Sequence, residues 1–299
     1  MINERFKILV ISGATASGKS ALALEIAAQK NGVIINADAM QLYPELPILS
    51  AQPNAEDLKL APHFLYSVLK HNENSSVTVW LHLAVEKINQ ALKQNQLPIV
   101  VGGTGLYLSK LIDGINKIPE IEESLKIEIR QICANNDRNE LIKILLAWQD
   151  NFEEIADLDK QRLGRRLEVL KQTGKNLSWW QNQPNQIFYP LTDFYHLNIE
   201  LPREKLYQNC NQRLALMFKN GALEEAQELL RLNLAADYGA TKTIGFLEIK
   251  DYLQGRIDQE QAIEIAAQKT RNYAKRQLTW FRNQFKNKVV IADCANFKL

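Results

Sequence analysis

Short runs of consecutive apolar residues, separated by a helical pattern, dominate the first third of the chain. Residues 6–12 (FKILVIS), 33–36 (VIIN) and 97–101 (LPIVV) form such runs, and a helical pattern covers 21–30. Strands that are apolar on both faces and alternate with helices are typical of a parallel sheet covered by helices. The pattern therefore predicts an α/β core.

The middle of the chain has a different character. From about Lys117 to Asn182, charged residues alternate with Leu and Ile at helical spacing, and no strand-like run occurs before Phe188. We therefore expect a helical insertion domain over 116–189, flanked by the two halves of the core, 1–115 and 190–299.

The last third combines both patterns. We expect a strand over 196–201, helices over 203–232 and 259–285, and a last strand over 289–292. These elements predict that the chain returns to the α/β core after the insertion.

A glycine-rich segment stands between the first predicted strand and the first predicted helix. Gly13-Ala-Thr-Ala-Ser-Gly-Lys-Ser20 matches GxxxxGK[ST] in the strand–loop–helix context that this pattern requires. Its backbone amides can face phosphate oxygens, Lys19 can neutralise charge, and the Ser20 hydroxyl can ligate Mg²⁺. The predicted phosphate-binding residues are Gly13, Thr15, Ala16, Ser17, Gly18, Lys19 and Ser20. The motif predicts a P-loop nucleoside-triphosphate-hydrolase-like core, but kinases, GTPases and diphosphate transferases share it.

Polar residues follow the next two predicted strands. Asp38 comes directly after the second strand, and Thr104 follows two glycines at the end of the third. Ligands of open α/β folds bind at the carboxyl ends of the strands. A carboxylate there can accept a proton or hold Mg²⁺, although Asp38 could instead cap the following helix.

Basic residues concentrate near the end of the chain, although the net charge is only +2. No acidic residue occurs between Glu264 and Asp293. The basic residues of this segment are Lys269, Arg271, Lys275, Arg276, Arg282, Lys286 and Lys288. The predicted helix also carries an apolar stripe, formed by Ala274, Leu278, Phe281 and Phe285. The opposite face suits a polyanion, or is a solvated basic face of an ordinary amphipathic helix.

The insertion contains a second cluster of cations. We expect Leu163, Leu167 and Leu170 to form a buried stripe, and Arg162, Arg165 and Arg166 to project on the opposite side. Three arginines within five residues favour contact with phosphates or bases.

Composition excludes a few classes of protein. No segment reaches the roughly 20 apolar residues of a membrane span, so we expect no membrane partner and a cytoplasmic location. Cys133, Cys210 and Cys294 show neither a paired CxxC nor metal-ligand spacing, so we expect reduced thiols.

Five separated segments, in order, carry a resemblance that extends nearly from end to end. They are residues 13–20 (GATASGKS), 36–41 (NADAMQ) with Tyr43, 101–107 (VGGTGLY), 161–169 (QRLGRRLEV) with Thr173-Gly174, and 270–282 (TRNYAKRQLTWFR). With these segments the chain resembles the bacterial tRNA dimethylallyltransferases, also called tRNA isopentenyltransferases.

The resemblance implies a reaction and roles for particular residues. The reaction moves a dimethylallyl group from dimethylallyl diphosphate to the exocyclic amine of the adenosine 3′-adjacent to the anticodon, with Mg²⁺ as cofactor. By this resemblance, the loop Gly13–Ser20 holds the diphosphate, Asp38 is the general base, and Ser20 ligates the metal. The tRNA anticodon stem-loop would be contacted by Asp38, Ala39, Met40, Gln41, Thr104, Gln161, Arg162, Leu163, Gly164, Arg165, Lys242, Gly245, Arg271, Lys275, Arg276 and Gln277. We expect a monomer.

Three positions depart from the usual family pattern. Ala14 replaces a proline, which should be harmless because alanine can take the same backbone conformation. Ser109 and Gln52 stand where the family usually has basic residues. A cation at position 109 would help to hold the diphosphate, so its loss concerns catalytic efficiency rather than the class of reaction.

Three other functions share part of this pattern. A P-loop small-molecule kinase would explain the loop but nothing after residue 110. An adenylate isopentenyltransferase would share the donor site without needing a tRNA-binding helix. A non-catalytic RNA-binding relative would be expected to lose Lys19 or Asp38, and both are present.

Overall fold

The computed structural model describes residues 6–235 and 238–292. It divides into two compact units. One contains the chain up to Asp113 and from Phe188 onward, and the other is Gly114–Ile187. The sequence placed these boundaries after residues 115 and 189.

One parallel sheet lies at the centre of the larger unit, which confirms the predicted α/β fold. Its strands are β1 (Ile8–Gly13), β2 (Gly32–Asn36), β3 (His63–Phe64), β4 (Leu97–Gly102), β5 (Phe194–Ile199) and β6 (Val289–Ile291). They lie in the order β3-β2-β4-β1-β5-β6, and every pairing is parallel. β1 and β4 are neighbours although they are distant in sequence, so the loops that follow them meet at one edge of the sheet.

The helices complete the two units. In chain order they are α1 (Lys19–Gln29), α2 (Ala55–Leu60), α3 (Val77–Lys93), α4 (Gly105–Ile112), α5 (Glu123–Asn135), α6 (Arg138–Ala147), α7 (Phe152–Ile155), α8 (Lys160–Thr173), α9 (Leu177–Gln181), α10 (Arg203–Lys219), α11 (Ala222–Arg231), α12 (Phe246–Leu253) and α13 (Gln259–Gln284). None of them combines the length and the apolar character that a membrane-crossing helix needs.

The core of the sheet unit forms because β1 is apolar on both faces. Leu9 and Ile11 pack with Leu22 and Ile26 of α1, and all four are almost fully buried. Burying each of these side chains contributes about 1.5–3 kcal/mol to the stability of the fold. This packing fixes α1 directly after β1 and therefore fixes the loop between them.

The carboxy-terminal helices differ in detail from the expected ones. The predicted helix 203–232 is two helices, because Gly221 has φ 108° and ends the first of them in a left-handed conformation. The stripe of α13 is confirmed, since Ala274, Leu278 and Phe281 are buried and Phe285 is buried just after the helix.

The smaller unit has its own core, which includes Leu163, Leu167 and Leu170 of α8 as predicted. The prediction for Arg166 was wrong. Its guanidinium is buried and makes bonds of 2.7 Å to both oxygens of Asp150, with Glu154 as a second partner. Arg166 lies next to Leu163 and Leu170 on the helix surface, and the carboxylates compensate its burial.

Two of the three cysteines, Cys133 and Cys210, are free thiols. Cys294 lies outside the described residues.

Candidate active site

The glycine-rich loop is preorganised for an anion. Gly18 has φ 91°, a left-handed conformation that glycine adopts without strain, and α1 begins at the next residue. The first amides of α1 have no partners within the helix, and the helix dipole favours negative charge at this end. The amino end of α1 therefore suits an anion at the carboxyl edge of the sheet, and the phosphate-binding role of the loop stays a prediction.

Lys19 adds a cation to this loop. Its Nζ donates to the carbonyl of Ala14 over 3.3 Å. Burial lowers the pKa of Lys19 to about 8, Asp38 opposes this shift, and the positive charge of Arg213 adds to it. A bound anion would offset the cost of keeping this ammonium charged.

Asp38 is held in place by its neighbours. The side chain of Asn36 accepts the Asp38 amide at 2.7 Å and donates to the Asp38 carbonyl at 3.0 Å. One carboxylate oxygen, Oδ1, accepts the amide of Met40 at 3.0 Å. The carboxylate therefore does make a local cap-like bond, and Asp38 also lines a cavity of this unit.

Thr104 fixes both neighbours of Asp38. Its amide donates to the carbonyl of Ala37 over 3.2 Å, and its Oγ1 accepts the amide of Ala39 at 3.0 Å. The loop after β4 therefore positions the backbone on each side of the carboxylate. This arrangement brings together two motifs that the sequence analysis could only place at the same edge.

A cavity of about 310 Å³ lies beside the loop. Its polar lining includes Thr15, Asp38 and Arg213, and a second part is apolar. The apolar lining residues are Met40, Leu49, Leu214, Met217 and Ile244. Such a cavity suits a ligand with an anionic head and a short apolar tail.

Arg213 was missed by the sequence analysis. Its Nη2 donates to Thr15 Oγ1, and burial is the main cause that lowers its pKa. It lies on α10 beside the buried Cys210, Leu214 and Met217, so its one signal was an arginine next to an apolar stripe. Arg213 lines the cavity beside the loop and can supply a cation there, which the sequence lacks at Ser109.

Gln52, the other departure, has a local role. Its amide donates to the carbonyl of Tyr43 over 2.8 Å and accepts the Ser67 hydroxyl at 2.7 Å. Gln41 acts similarly, since its amide donates to the carbonyls of Ser50 and Ala51 at 3.0 and 2.8 Å. Both side chains stabilise the 41–52 segment, whose Leu49 and Ser50 line the cavity.

The predicted tRNA-binding residues of α13 fall into two groups. Lys275 and Arg276 are exposed and line an open groove with Trp280. Arg271 is more enclosed, because its guanidinium donates to Asn211 at 2.7 Å and to Glu264 at 2.9 Å.

Other residues of the predicted tRNA set also have structural contacts. Gln277 is buried with both ends of its amide bound to protein atoms. Lys242 lines the cavity, together with Met40. Gly245 has φ 102°, and its amide donates to Glu248 at 2.9 Å.

The remaining predicted residues, 161–165, belong to α8 of the smaller unit. Arg162 and Arg165 are exposed and pair with Asp159 and Glu168 of their own helix. The side chain of Leu163 lies in the core of that unit, so it presents no surface to a ligand.

Comparisons with known proteins show which family the chain resembles. A family model described as IPP transferase matches residues 41–284, and one described as isopentenyl transferase matches residues 6–67. A tRNA dimethylallyltransferase of Wolbachia pipientis wMel is 40% identical, covering 97% of this chain and 96% of the relative. One from Rickettsia bellii (strain OSU 85-389) is 38% identical, covering 96% and 91%.

Solved structures of tRNA-modifying transferases also resemble this chain. A tRNA isopentenylpyrophosphate transferase of Staphylococcus epidermidis has a TM-score of 0.67 and 30% identity, with 97% of this chain and 94% of that chain covered. A eukaryotic dimethylallyltransferase acting on tRNA has a TM-score of 0.79 and 27% identity, with 97% and 75% covered.

Proposed function

The chain belongs to the IPP transferase family, and from this premise we propose that it transfers a dimethylallyl group from dimethylallyl diphosphate to tRNA. The acceptor is the exocyclic amine of the adenosine 3′-adjacent to the anticodon. One observation supports this most directly: a single cavity is lined by Asp38, by Thr15 of the glycine-rich loop and by the cation Arg213, beside an apolar wall. A kinase of small molecules would not need that wall.

The reaction forms a bond between the amine nitrogen and the allylic carbon and breaks the bond from that carbon to the diphosphate oxygen. Asp38 accepts the amine proton, and the diphosphate leaves with the bonding electron pair. The loop amides, Lys19 and Arg213 stabilise the charge that develops on the diphosphate. The amine is a weak nucleophile because its lone pair is delocalised into the ring, so both effects are needed.

We propose Mg²⁺ as the cofactor. No group of three or more His, Cys, Asp or Glu side chains suited to a metal occurs within the described ranges 6–235 and 238–292. The Ser20 hydroxyl is exposed at the first turn of α1, and Mg²⁺ is commonly held by one or two protein oxygens plus substrate phosphates and water. When bound, it would neutralise charge on the diphosphate.

The tRNA must present its adenine outside the base stack. Unstacking a base costs a few kcal/mol, and phosphate contacts can offset this cost. We propose Lys275 and Arg276 of α13, and Arg162 and Arg165 of α8, as the exposed cations for these contacts. Because tRNA is the substrate, we also propose a cytoplasmic location; the monomeric state stays a prediction.

One assay tests the function. Labelled dimethylallyl diphosphate is incubated separately with tRNA, with free AMP, and with tRNA in the presence of ATP as competing donor. Label in tRNA, absent when the target adenosine is replaced by guanosine, supports the proposal. Label in AMP would indicate an adenylate isopentenyltransferase, and phosphate transfer from ATP would indicate a kinase.

Donor affinity should depend on pH through Lys19. Its pKa in the empty site is about 8, so above this pH the amine is increasingly neutral and diphosphate binding must take up a proton. We expect the donor dissociation constant, measured without tRNA, to rise by up to about tenfold per pH unit above that pKa. Below that pKa the donor dissociation constant should not change with pH.

A Lys19→Arg variant is the control, because an arginine stays charged over this range. Its affinity should vary little between about pH 7 and about pH 9, values roughly one pH unit below and above the pKa of Lys19. If the donor dissociation constant of the parent depended on pH as little as that of the variant, Lys19 would not titrate over this range.

Lys275 should contribute to tRNA affinity without specifying sequence. Its side chain is exposed on α13, and a phosphate contact releases a counterion. We expect Lys275→Ala to weaken binding of all substrate tRNAs alike and to reduce the slope of log affinity against log salt by about 0.7–0.9. The melting temperature should hardly change.

Lys93→Ala is the matched control for this charge change. Lys93 ends α3, just before β4 begins, and therefore lies at the amino edge of the sheet. It should leave the salt slope unchanged. Equal slopes for the two variants would assign the Lys275 face to solvent.

A further inference from the structure

Gln277 lies buried between two loops of the candidate active site. Its Oε1 accepts the amide of Thr15 at 2.8 Å, and its Nε2 donates to the carbonyl of Gly103 over 2.8 Å. Only 5% of the residue is exposed. One side chain therefore links the diphosphate loop to the loop that follows β4.

The fit around this amide is close. A Cβ atom at position 103 would overlap Gln277 Nε2, so glycine is required for the contact. Both loops are thereby held at a fixed distance from α13. Because a buried amide left without partners is costly, the two bonds favour this single arrangement.

The link continues to Asp38. Thr104 follows Gly103 directly and binds the carbonyl of Ala37 and the amide of Ala39. The path from Gln277 through Gly103 and Thr104 therefore ends at the backbone on both sides of the proposed base.

Tyr273 reinforces the same link. It lies four residues before Gln277 on α13, and its side chain lies beside those of Gln277 and Thr104. It also lines the cavity, and burial raises its pKa. The inward face of α13 thus contacts both the donor loop and the Asp38 segment.

We propose that Gln277 is a positioning residue that sets the diphosphate loop and Asp38 in register, and that it does not bind tRNA directly. The inference rests on the proposed function. Displacements of about 1 Å in a reacting geometry can cost about 100-fold in rate. Loss of this link should therefore lower turnover and donor use while tRNA affinity is kept.

Gln277→Met tests the proposal, because methionine has nearly the same length but neither hydrogen bond. We expect kcat for prenyl transfer to fall by about 10- to 100-fold, and the donor KM to rise. The tRNA dissociation constant, measured without donor, should stay within about twofold of the parent, since only the inward face of α13 changes. Gln259→Met, an exposed position at the start of the same helix, should match the parent throughout.

Gln277→Glu gives an independent readout that survives a loss of stability in the methionine variant. A protonated carboxyl can accept from Thr15 and donate to Gly103, whereas a carboxylate cannot donate. The ratio of variant to parent turnover should therefore increase as pH falls from about 8 to about 6, a range in which a buried carboxyl group takes up its proton. The ionisable groups on the elements around Gln277 include Lys19, Asp38, Cys210, Arg213, Tyr273 and Arg276. They occur in both proteins, and comparison as a ratio reduces their effect.

Two results would overturn the inference. One is a tRNA dissociation constant raised more than tenfold in Gln277→Met with parental kcat at saturation, which would make Gln277 a tRNA ligand. The other is parental kinetics in Gln277→Met or, where that variant melts early, a pH-independent ratio in Gln277→Glu. If the parent itself transfers no label to tRNA, the proposed function fails as well, so the two failures are distinguishable.

Discussion

Asp38→Asn is expected to lower the single-turnover rate of prenyl transfer by about 10²–10⁴-fold, the usual contribution of a general base. The asparagine keeps an oxygen that can accept the Met40 amide, which Asp38 Oδ1 accepts at 3.0 Å, so the local backbone should be preserved. It cannot take up the amine proton. Affinity for tRNA should change little, because a base acts on the transition state.

Asp38→Ala separates the chemical role from the structural one. Alanine removes both the base and the Met40 contact, so it should lose as much activity as asparagine and also some stability. Rates at saturating donor and tRNA, with tRNA affinity and melting temperature, give the comparison. If Asp38→Asn turned over normally at saturation but bound tRNA poorly, Asp38 would be a binding residue.

The sequence predicted the elements whose signals are local. β1 and β4 are apolar on both faces, and the stripe of α13 repeats at helical spacing, so their burial follows from pattern alone. β3 is only two residues long and shows no periodicity, and the break at Gly221 lies within a continuous helical pattern. Neither could be read from periodicity.

The candidate site likewise contains residues that a local motif predicts and residues that only tertiary contacts bring in. The loop around Lys19 and the Asp38 segment carry short motifs whose chemistry depends on neighbouring residues. Arg213 and Gln277 reach Thr15 across separations of 198 and 262 residues. Tertiary packing of α10 and α13 beside β1 brings these segments together. A basic or amide side chain on a helix gives no local sign of such a partner.

Arg213→Met is expected to lower kcat/KM for dimethylallyl diphosphate by about 10- to 150-fold, because a charge-assisted hydrogen bond contributes about 1.5–3 kcal/mol. The guanidinium lines the cavity and contacts Thr15 of the loop. Lys19→Met should cause a loss of similar size. Initial rates at limiting donor and saturating tRNA give kcat/KM for dimethylallyl diphosphate directly.

Arg203→Met is the matched control, since Arg203 is exposed on the same helix and packs over Tyr207. It should behave as the parent. Arg213→Lys keeps a positive charge and should recover part of the loss, whereas a purely steric role would give no such recovery. Burial lowers the pKa of Arg213, and Cys210 and Asp38 oppose this shift, so the remaining cost of keeping the cation charged is one that a bound anion would offset. Arg213→Met should therefore bind donor poorly yet melt no earlier than the parent, and an early-melting variant with parental donor kinetics would make Arg213 a structural residue.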